Sequence, residues 1–331
     1  MSGPIKPNNY FSYNIMLTSR CFLNCSHCLV TNGKVYKQSV IDTGLMKALV
    51  DKAMSLSESL ELGWGGGDPL VLGREYLRKI VRMECFDQSA VKNTIYTTLL
   101  LKDFDGWPEI LDRFNSMVFS FDSYRQKERN FDEALCFRNL SRLSLKKTVS
   151  YTPHMDDDVE TYYRKAADIG ADRFHLGFVY EHILPADFYI RTLERLCRIG
   201  QMNDGPEIGF FGSDVTGRDM RGWTGFSCFT SGVFISPDSV MTSCVPLYLK
   251  NPGDVPHMTV EAFLDRDDTF DKFNGEFIRK VFFQNIPGEC VGCPYHPHCM
   301  RGCPYFSAIG GGKDIYCSVY REIFKFQLGE I

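Results

Sequence analysis

Residues 21–28 have the sequence CFLNCSHC and follow an apolar run at 11–17 that is typical of a buried strand. Three thiolates at this spacing can bind three irons of a [4Fe–4S] cluster and leave the fourth iron open to an outside ligand. A structural zinc or a disulfide is the alternative. Zinc needs four ligands, however, and His27 lies too close to the cysteines to complete a tetrahedron easily. The predicted cluster ligands are Cys21, Cys25 and Cys28.

The composition of the whole chain excludes several classes of protein. The chain has 331 residues, of which 44% are hydrophobic and 24% charged, as in an ordinary globular protein. Its net charge of −4 argues against a nucleic-acid-binding surface, which would be strongly basic. No apolar run approaches the length of a membrane span, and residues 1–9 do not resemble a signal peptide. The sequence therefore predicts a cytoplasmic protein with neither nucleic-acid nor membrane partners.

Cysteine is unusually frequent for such a protein. The chain has 13 cysteines, and disulfides are rare in the cytoplasm. Three lie within 21–28 and seven more lie from Cys228 onward, which indicates metal binding. The remaining three are isolated and are expected to be buried small apolar side chains. These are Cys85, Cys136 and Cys197.

After the cysteine segment, strand-like and helix-like patterns alternate. Apart from the first apolar run, strands are predicted at 60–64, 94–100, 117–121, 148–151 and 173–179. Helices are predicted from Asp42 or Thr43 through Met54, and at 75–85, 108–114, 131–143, 159–169 and 188–199. About six strand–helix units in succession predict an α/β fold with a parallel sheet and outer helices. In such folds, sites gather at the carboxyl ends of the strands.

Two further motifs follow predicted strands. Residues 65–69 have the sequence GGGDP, in which three glycines let the backbone approach a ligand closely, although a simple tight turn is the alternative. Ser120 and Asp122 alternate with phenylalanines along a strand end, so their side chains are expected to point the same way. The cysteine segment and both motifs are thus expected at one edge of the sheet.

The C-x3-C-x2-C spacing, with a glycine cluster after the second strand, resembles the radical S-adenosylmethionine (SAM) enzymes. The resemblance implies a partial (β/α)6 TIM-like barrel core. It also implies that the open iron binds the amino and carboxylate groups of SAM. Reductive cleavage of SAM would then give a 5′-deoxyadenosyl radical, which abstracts hydrogen from substrate.

The same resemblance suggests further SAM contacts. Gly66, Gly67 and Asp68 match the family's Gly-Gly-Glu-Pro element, which binds the SAM amino group, with Asp in place of Glu. In that family a polar residue on the strand of Ser120 and Asp122 commonly contacts SAM or substrate, and a solvated strand end is the alternative explanation. Two weaker candidates complete the predicted site. They are Arg138, which could reach the SAM carboxylate unless it is an ordinary exposed helix residue, and His27, where the family usually carries an aromatic residue near adenine.

Seven cysteines form a second array in the last third of the chain. They are Cys228, Cys244, Cys290, Cys293, Cys299, Cys303 and Cys317. Between the first two, residues 232–235 and 240–244 flank a hairpin signal at Ser236–Ser239. Two structural zincs, completed by His296 or His298, are one explanation of the array.

The array resembles the SPASM extension that follows some radical SAM cores and holds two auxiliary Fe–S clusters, expected to be [4Fe–4S]. The family pattern implies that Cys290, Cys293, Cys299 and Cys317 bind the distal cluster. It also implies that Cys228, Cys244 and Cys303 bind the proximal one. With three evident ligands, the proximal cluster is expected to have an open iron. Ser239 replaces a usual glycine of the family. The expected domains are a core at 1–210 and a SPASM domain at 211–331.

The sequence leaves the substrate open. SPASM enzymes most often resemble maturases of ribosomally made peptides, which cross-link, epimerise or oxidise residues. The alternative is a dehydrogenase or epimerase of a sugar or aminocyclitol. A non-catalytic zinc scaffold is a third possibility. The expected partners are a peptide or small-molecule substrate, an electron donor such as flavodoxin or ferredoxin, and a separate peptide-recognition protein.

Overall fold

The computed structural model describes residues 10–32, 36, 40–180, 183–202, 205–210, 213–214, 232–266, 286–299 and 302–328. Within these residues one mixed sheet of eleven strands forms the centre of the molecule. Its strands are β1 (Tyr10–Thr18), β2 (Ser59–Gly66), β3 (Val91–Thr97), β4 (Ser116–Ser120), β5 (Lys146–Tyr151), β6 (Arg173–Leu176), β7 (Glu207–Phe210), β8 (Ser213–Asp214), β9 (Gly232–Ile235), β10 (Val240–Thr242) and β11 (His257–Thr259).

The strand order is β11-β10-β9-β1-β2-β3-β4-β5-β6-β7-β8. Strands β1 to β7 are parallel to their neighbours, and β9 is parallel to β1. Strands β8, β10 and β11 pair antiparallel. Since β11 and β8 stand at opposite ends of this order, the described sheet is open. This is the arrangement expected of a partial barrel.

The helices connect successive strands. They are α1 (Leu29–Asn32), α2 (Thr43–Leu56), α3 (Arg74–Ile80), α4 (Pro108–Leu111), α5 (Ser123–Gln126), α6 (Glu133–Leu140), α7 (Val159–Asp168), α8 (Ala186–Met202), α9 (Val245–Lys250), α10 (Val260–Leu264), α11 (His296–Cys299), α12 (Pro304–Ile309) and α13 (Cys317–Leu328). Asp42 caps α2 as predicted, because its carboxylate accepts a 2.7 Å hydrogen bond from the Leu45 amide. No helix among the residues described is long and apolar enough to cross a membrane.

The two faces of the sheet differ in character. In β4, Met117 and Phe119 are fully buried, whereas Ser116 and Ser120 on the opposite face are partly exposed. The neighbouring strands β5 and β6 alternate in a similar way, because side chains of a strand point to opposite faces in turn. The apolar face packs under the helices and forms the core. The other face is left for small and polar side chains, and it carries the candidate site.

The predicted order of strands and helices is confirmed, with shifts at several boundaries. The helix predicted at 75–85 ends at Ile80, where a turn separates it from a 3₁₀ segment at Glu84–Phe86. The helix predicted at 108–114 is only the single turn α4. Three short strands were not predicted. Strands β7 and β8 lie beside the boundary predicted at residue 210, and β11 has only three residues.

The C-terminal region extends the same sheet. The predicted hairpin is confirmed by β9 and β10, and β9 also pairs with β1 from Ser12 to Ile15. The Lys52 ammonium group on α2 donates to the carbonyls of Phe263 and Leu264 at the end of α10, at 2.8 and 2.9 Å. A domain boundary near residue 210 stays a prediction, and the sheet is continuous across it.

Candidate functional site

The three cysteines of residues 21–28 line one cavity at the carboxyl ends of β1 to β4. Its volume is about 260 Å³. Its wall includes all three glycines of the GGGDP stretch, Ser120 and Arg125. Phe234 of β9 also lines it, so the C-terminal region forms part of the wall. The remaining lining residues are Asn14, Ile15, Met16, Leu23, Val30, Gly63, Tyr96, Thr97 and Thr98.

Hydrogen bonds shape the cysteine segment into a compact loop. Where β1 ends, the Arg20 amide donates to the Thr18 hydroxyl at 3.0 Å. The Cys28 amide donates to the Cys25 carbonyl at 3.1 Å, which holds these two cysteines on one turn. The Leu23 amide lies 3.4 Å from the Cys21 sulfur and is oriented to donate to it. The backbone thus fixes the positions from which the three thiols reach the cavity.

The thiols of this loop are shielded from water. Burial raises the pKa of Cys21 to about 11 and that of Cys25 to about 12. Both are therefore protonated near neutral pH in the metal-free protein. Binding of iron by these thiols would have to displace the protons and release them to solvent.

The glycine stretch lies against the beginning of the cysteine loop. Gly66 has φ 119°. A side chain there would place its first carbon 2.2 Å from the Thr18 carbonyl oxygen, and at Gly67 the corresponding distance to the Arg20 oxygen is 2.1 Å. The amides of Gly67 and Asp68 donate to the Thr18 and Arg20 carbonyls at 2.7 and 2.8 Å. These two glycines are thus required by close backbone packing, in addition to any contact with SAM.

Asp68 is completely buried and does not line the cavity. Its carboxylate accepts hydrogen bonds from the amides of Leu70 and Thr98 at 3.0 and 2.9 Å. The hydroxyls of Thr98 and Thr97 also donate to it, at 2.6 and 3.0 Å. Asp68 therefore ties the glycine stretch to the end of β3. The predicted contact of Asp68 with SAM thus lies outside the cavity lining, and its side chain supports the wall instead.

Ser120 and Asp122 have different surroundings, contrary to the expectation that both face the ligand. Ser120 lines the cavity, whereas Asp122 is fully buried beneath it. The Asp122 carboxylate caps α5 by accepting from the Arg125 amide at 3.0 Å and forms an ion pair with the Arg125 guanidinium. The reason is that the strand ends at Ser120, so the alternation of side chains does not extend to Asp122. Arg125 takes the place in the wall that was predicted for Asp122.

Two other predicted contacts lie outside the cavity lining. His27 packs against Tyr124, with ring centroids 4.4 Å apart, and its Nε2 lies 3.3 Å from Arg125 Nη1. Arg138 is exposed on α6, because the helix turns Leu135 and Asn139 toward the core instead. Arg125 is the cavity arginine that the sequence did not reveal. Its four-residue helix is too short to show a periodic pattern.

A second cavity contains the four cysteines predicted to bind the distal auxiliary cluster. Cys290, Cys293, Cys299 and Cys317 all line this cavity, whose volume is about 80 Å³. The wall also includes Asp314 and His296, the latter named above as a possible zinc ligand. The sharing of one cavity by four thiols fits an Fe–S cluster or a zinc ion by donor type.

The proximal set is described only in part, because Cys228 lies outside the described residues. Cys244 and Cys303 are buried, and each immediately precedes a helix, α9 and α12 respectively. These two helices contact each other. The arrangement is compatible with a shared cluster at their starts.

Among the described residues, no three His, Cys, Asp or Glu side chains converge closely enough to hold a metal ion. The cysteines of the first loop share one cavity and those of the distal set share another, and neither set forms a preformed coordination sphere. Their soft thiolate donors fit a thiolate-bound cluster. The amide, hydroxyl and guanidinium groups in the wall of the first cavity could contact a small polar ligand. The three isolated cysteines are buried as predicted, and burial raises the pKa of Cys85 and Cys136 to about 12.

Comparison with known proteins gives matches at the level of structure. No family model matches the sequence, and no curated protein does either. The structure of anSMEcpe with bound AdoMet and the Cp18Cys peptide superposes with a TM-score of 0.72 at 15% identity, covering 97% of each chain. Streptococcus suis SuiB bound to the precursor peptide SuiA has a TM-score of 0.67 at 14% identity, covering 92% of this chain and 74% of SuiB.

Both neighbours are radical SAM enzymes that modify peptides, and anSMEcpe carries a SPASM domain. The match extends over nearly the whole of anSMEcpe, including the region of the second cysteine array. The resemblance predicted from the cysteine and glycine motifs is therefore confirmed at the level of fold. The chain has the fold of the radical SAM enzymes with a SPASM extension.

Proposed function

We propose that this protein is a radical SAM enzyme that modifies a peptide. The main support is a single observation. Cys21, Cys25 and Cys28 line one cavity in a fold that superposes over 97% of its length on an enzyme holding AdoMet and a peptide. When bound, the cluster and SAM would supply a carbon-centred radical that takes a hydrogen atom from substrate. The chain's own residues must hold the ligands, exclude water and orient the substrate.

The proposed role of each residue follows from its position in the wall of the cavity. Cys21, Cys25 and Cys28 would bind the cluster on one side. Gly66 and Gly67 line the cavity, and a side chain at either would collide with the Thr18 or Arg20 carbonyl. Glycine thus lets this stretch of backbone form a wall that SAM could contact. The amides of Gly67 and Asp68 already donate to protein carbonyls, so the contacts to SAM would come from the remaining backbone groups.

The substrate side of the cavity carries polar groups from three strands. Asn14 of β1, Tyr96 of β3 and Ser120 of β4 all line it, and none belongs to the apolar face of the sheet. Amide and hydroxyl groups can donate to and accept from peptide groups of a substrate, which suits an extended backbone. Phe234 adds an apolar contact from the C-terminal hairpin. We favour a peptide over a sugar or aminocyclitol because both structural neighbours hold peptides.

Anaerobic reconstitution tests the proposed chemistry. With iron, sulfide and reductant, the protein is expected to absorb near 400 nm (roughly, for Fe–S clusters) and to convert SAM to 5′-deoxyadenosine. Candidate peptides encoded beside the gene should change in mass only when SAM is present. Deuterium placed in the modified residue should appear in 5′-deoxyadenosine.

A matched pair of cysteine variants separates the site from general stability. Cys21→Ala is expected to abolish 5′-deoxyadenosine formation, since it removes a predicted iron ligand. Cys197→Ala changes a buried cysteine outside both cavities and should retain the activity. A wild-type protein that takes up zinc, shows no absorption near 400 nm (approximately) and forms no 5′-deoxyadenosine would favour the non-catalytic scaffold instead.

The two auxiliary clusters remain part of this proposal. They would relay electrons or anchor substrate, with Cys244 and Cys303 binding the one nearer the radical site. A flavodoxin or ferredoxin would supply the reducing electron. Reduction of the reconstituted protein by each candidate donor can be followed directly by bleaching of the cluster absorption.

A further inference from the structure

Arg125 occupies a distinctive place in the wall of the cysteine cavity. It lines this cavity together with all three cysteines of residues 21–28. Its side chain is only 17% exposed. One guanidinium nitrogen, Nη1, is paired with Asp122 and lies 3.3 Å from His27 Nε2. His27 stands between Cys25 and Cys28 in the sequence.

The guanidinium is held by a rigid support. Asp122 is fully buried, caps α5 through the Arg125 amide, and contacts the guanidinium of the same residue. His27 is in turn packed against Tyr124, which belongs to the same short helix. An arginine side chain stays protonated in proteins, so this contact places a permanent positive charge beside the cysteine loop.

The positive end of this ion pair is the end that faces the cavity. Arg125 lines the cavity that the three cysteines share, whereas Asp122 is fully buried and lies outside the lining. Arg125 and Tyr124 belong to one short helix and both contact His27, which holds the guanidinium against the cysteine loop. The geometry therefore presents the cation, and not its partner carboxylate, to the predicted cluster site.

We propose that Arg125 is a positioning residue that fixes positive charge beside Cys25 and Cys28 and so raises the reduction potential of the cluster they bind. The inference rests on the proposed function, because it assumes that these cysteines hold a cluster. Reduction adds one electron to the cluster and its thiolates. In a poorly solvated site a nearby cation stabilises this added negative charge more than it stabilises the oxidised state.

Redox titration of the reconstituted protein, followed by electron paramagnetic resonance without SAM, tests this inference. Arg125→Gln should shift the potential of the first cluster to more negative values, whereas Arg125→Lys should retain most of the wild-type potential. Arg129→Gln is the matched control, because Arg129 is exposed and lies outside the cavity lining. It should leave the potential unchanged.

Asp122→Asn provides a variant with the opposite expected sign. Asparagine can keep the cap of α5 but removes the negative charge, so the potential should become less negative. Opposite shifts in the two variants support an electrostatic role, since a general loosening of the loop would not produce both signs. If the Arg125→Gln variant binds no iron, the reduction potentials of Asp122→Asn and Arg125→Lys test the electrostatic role instead.

Two results would overturn the inference. One is an unchanged potential in Arg125→Gln combined with weaker SAM binding by equilibrium dialysis, which would make Arg125 a SAM ligand. The other is a shift of the same sign in Arg125→Gln and Asp122→Asn. The proposed function fails separately, because wild-type protein that takes up a cluster but cannot cleave SAM contradicts it without affecting the measured potentials.

Discussion

Two buried carboxylates, Asp68 and Asp122, support the wall of the cysteine cavity from behind. Each lies just after a strand and accepts hydrogen bonds from backbone amides. Asp68 accepts from the amides of Leu70 and Thr98, and Asp122 accepts from that of Arg125. A carboxylate can accept several hydrogen bonds at once, which makes it effective where two loops meet without water. These two buried carboxylates help to position Ser120 and Arg125, the groups that face the cavity.

The mutation Asp68→Asn is expected to lower the free energy of unfolding by about 1–3 kcal/mol. Both carboxylate oxygens accept hydrogen bonds, from Leu70 and Thr97 on one side and from Thr98 on the other. An amide NH₂ group cannot accept, so it would leave donors unpaired on one side. Urea denaturation of the anaerobically reconstituted protein measures the change.

Asp168→Asn is the matched control for this measurement, because Asp168 is exposed at the end of α7. It should change stability by less than about 0.5 kcal/mol. An equal effect of the two substitutions would show that the hydrogen bonds of Asp68 do not contribute as described.

The lowered pKa of His175 on β6 predicts that the protein loses stability in acid. Burial lowers its pKa to about 4, and Arg173 acts in the same direction. An unfolded chain binds the imidazole proton below about pH 6.5, so between there and the folded-state pKa only the unfolded state is protonated. The free energy of unfolding therefore falls as the pH decreases through this range.

The variant His175→Gln should remove this component. Between pH 7 and pH 5 it is expected to lose about 1–2 kcal/mol less stability than the wild type. Urea midpoints of both proteins at the two pH values provide the comparison. Parallel losses in the two proteins would contradict a histidine that stays neutral in the folded protein over this pH range.

At the same scale, the sequence predicted the cysteines and glycines of the site but not Arg125. Cysteine spacing and a glycine cluster are local signals that need no knowledge of packing. Arg125 reaches the cavity only because the chain turns at Asp122 into a single helical turn, which leaves no periodic pattern. Arg138 lies on a longer, recognisable helix and was therefore the arginine predicted to reach SAM, although its side chain is exposed.

At the scale of elements, the hairpin of β9 and β10 contains a strained residue. Ser239 has φ 60°, a left-handed conformation that costs an L-residue about 1–2 kcal/mol. Ser239→Gly is expected to raise the free energy of unfolding by up to about 1 kcal/mol, after the larger conformational entropy of glycine in the unfolded chain is subtracted. Thermal unfolding of the two proteins measures the gain.

Ser236→Gly in the same turn is the matched control. Ser236 has no positive φ, and its hydroxyl accepts from the Val240 amide at 3.2 Å. The substitution should therefore destabilise the protein. A loss of stability in Ser239→Gly would mean that the backbone conformation there is favoured by serine itself.

The elements that the sequence missed are the short ones. Strand β7 has four residues and lies between glycine-rich stretches, so it offers too little alternation to be recognised. It forms because β6 presents an edge to which Glu207–Phe210 can pair in parallel register. The long amphipathic helices and the apolar strands carried enough repeats of their own pattern to be predicted.

On the scale of the whole molecule, the cysteine sets predict a definite metal content. Three [4Fe–4S] clusters would give about twelve irons per chain. Replacing Cys21, Cys25 and Cys28 together by alanine should lower this to about eight, and so should replacing the four cysteines of the second cavity. Iron, sulfide and zinc analysis of anaerobically reconstituted proteins provides the counts.

The outcome of this count distinguishes the two explanations of the C-terminal array. Zinc together with about four irons would mean that the array binds zinc while the first loop binds a cluster. Isolated cysteines provide the control, and Cys136→Ala should leave all metal contents unchanged because its side chain is buried away from both cavities.

The pairing of β9 with β1 also protects the core against self-association. From Ser12 to Ile15, β9 occupies the hydrogen-bonding edge of a strand whose alternate residues are core side chains. A fragment ending at residue 210 would expose that edge, and a bare apolar edge recruits strands from other copies. Such a fragment should form oligomers or precipitate in size-exclusion experiments. The region that carries the second cysteine array thus also covers the edge of β1 that would otherwise be open to other chains.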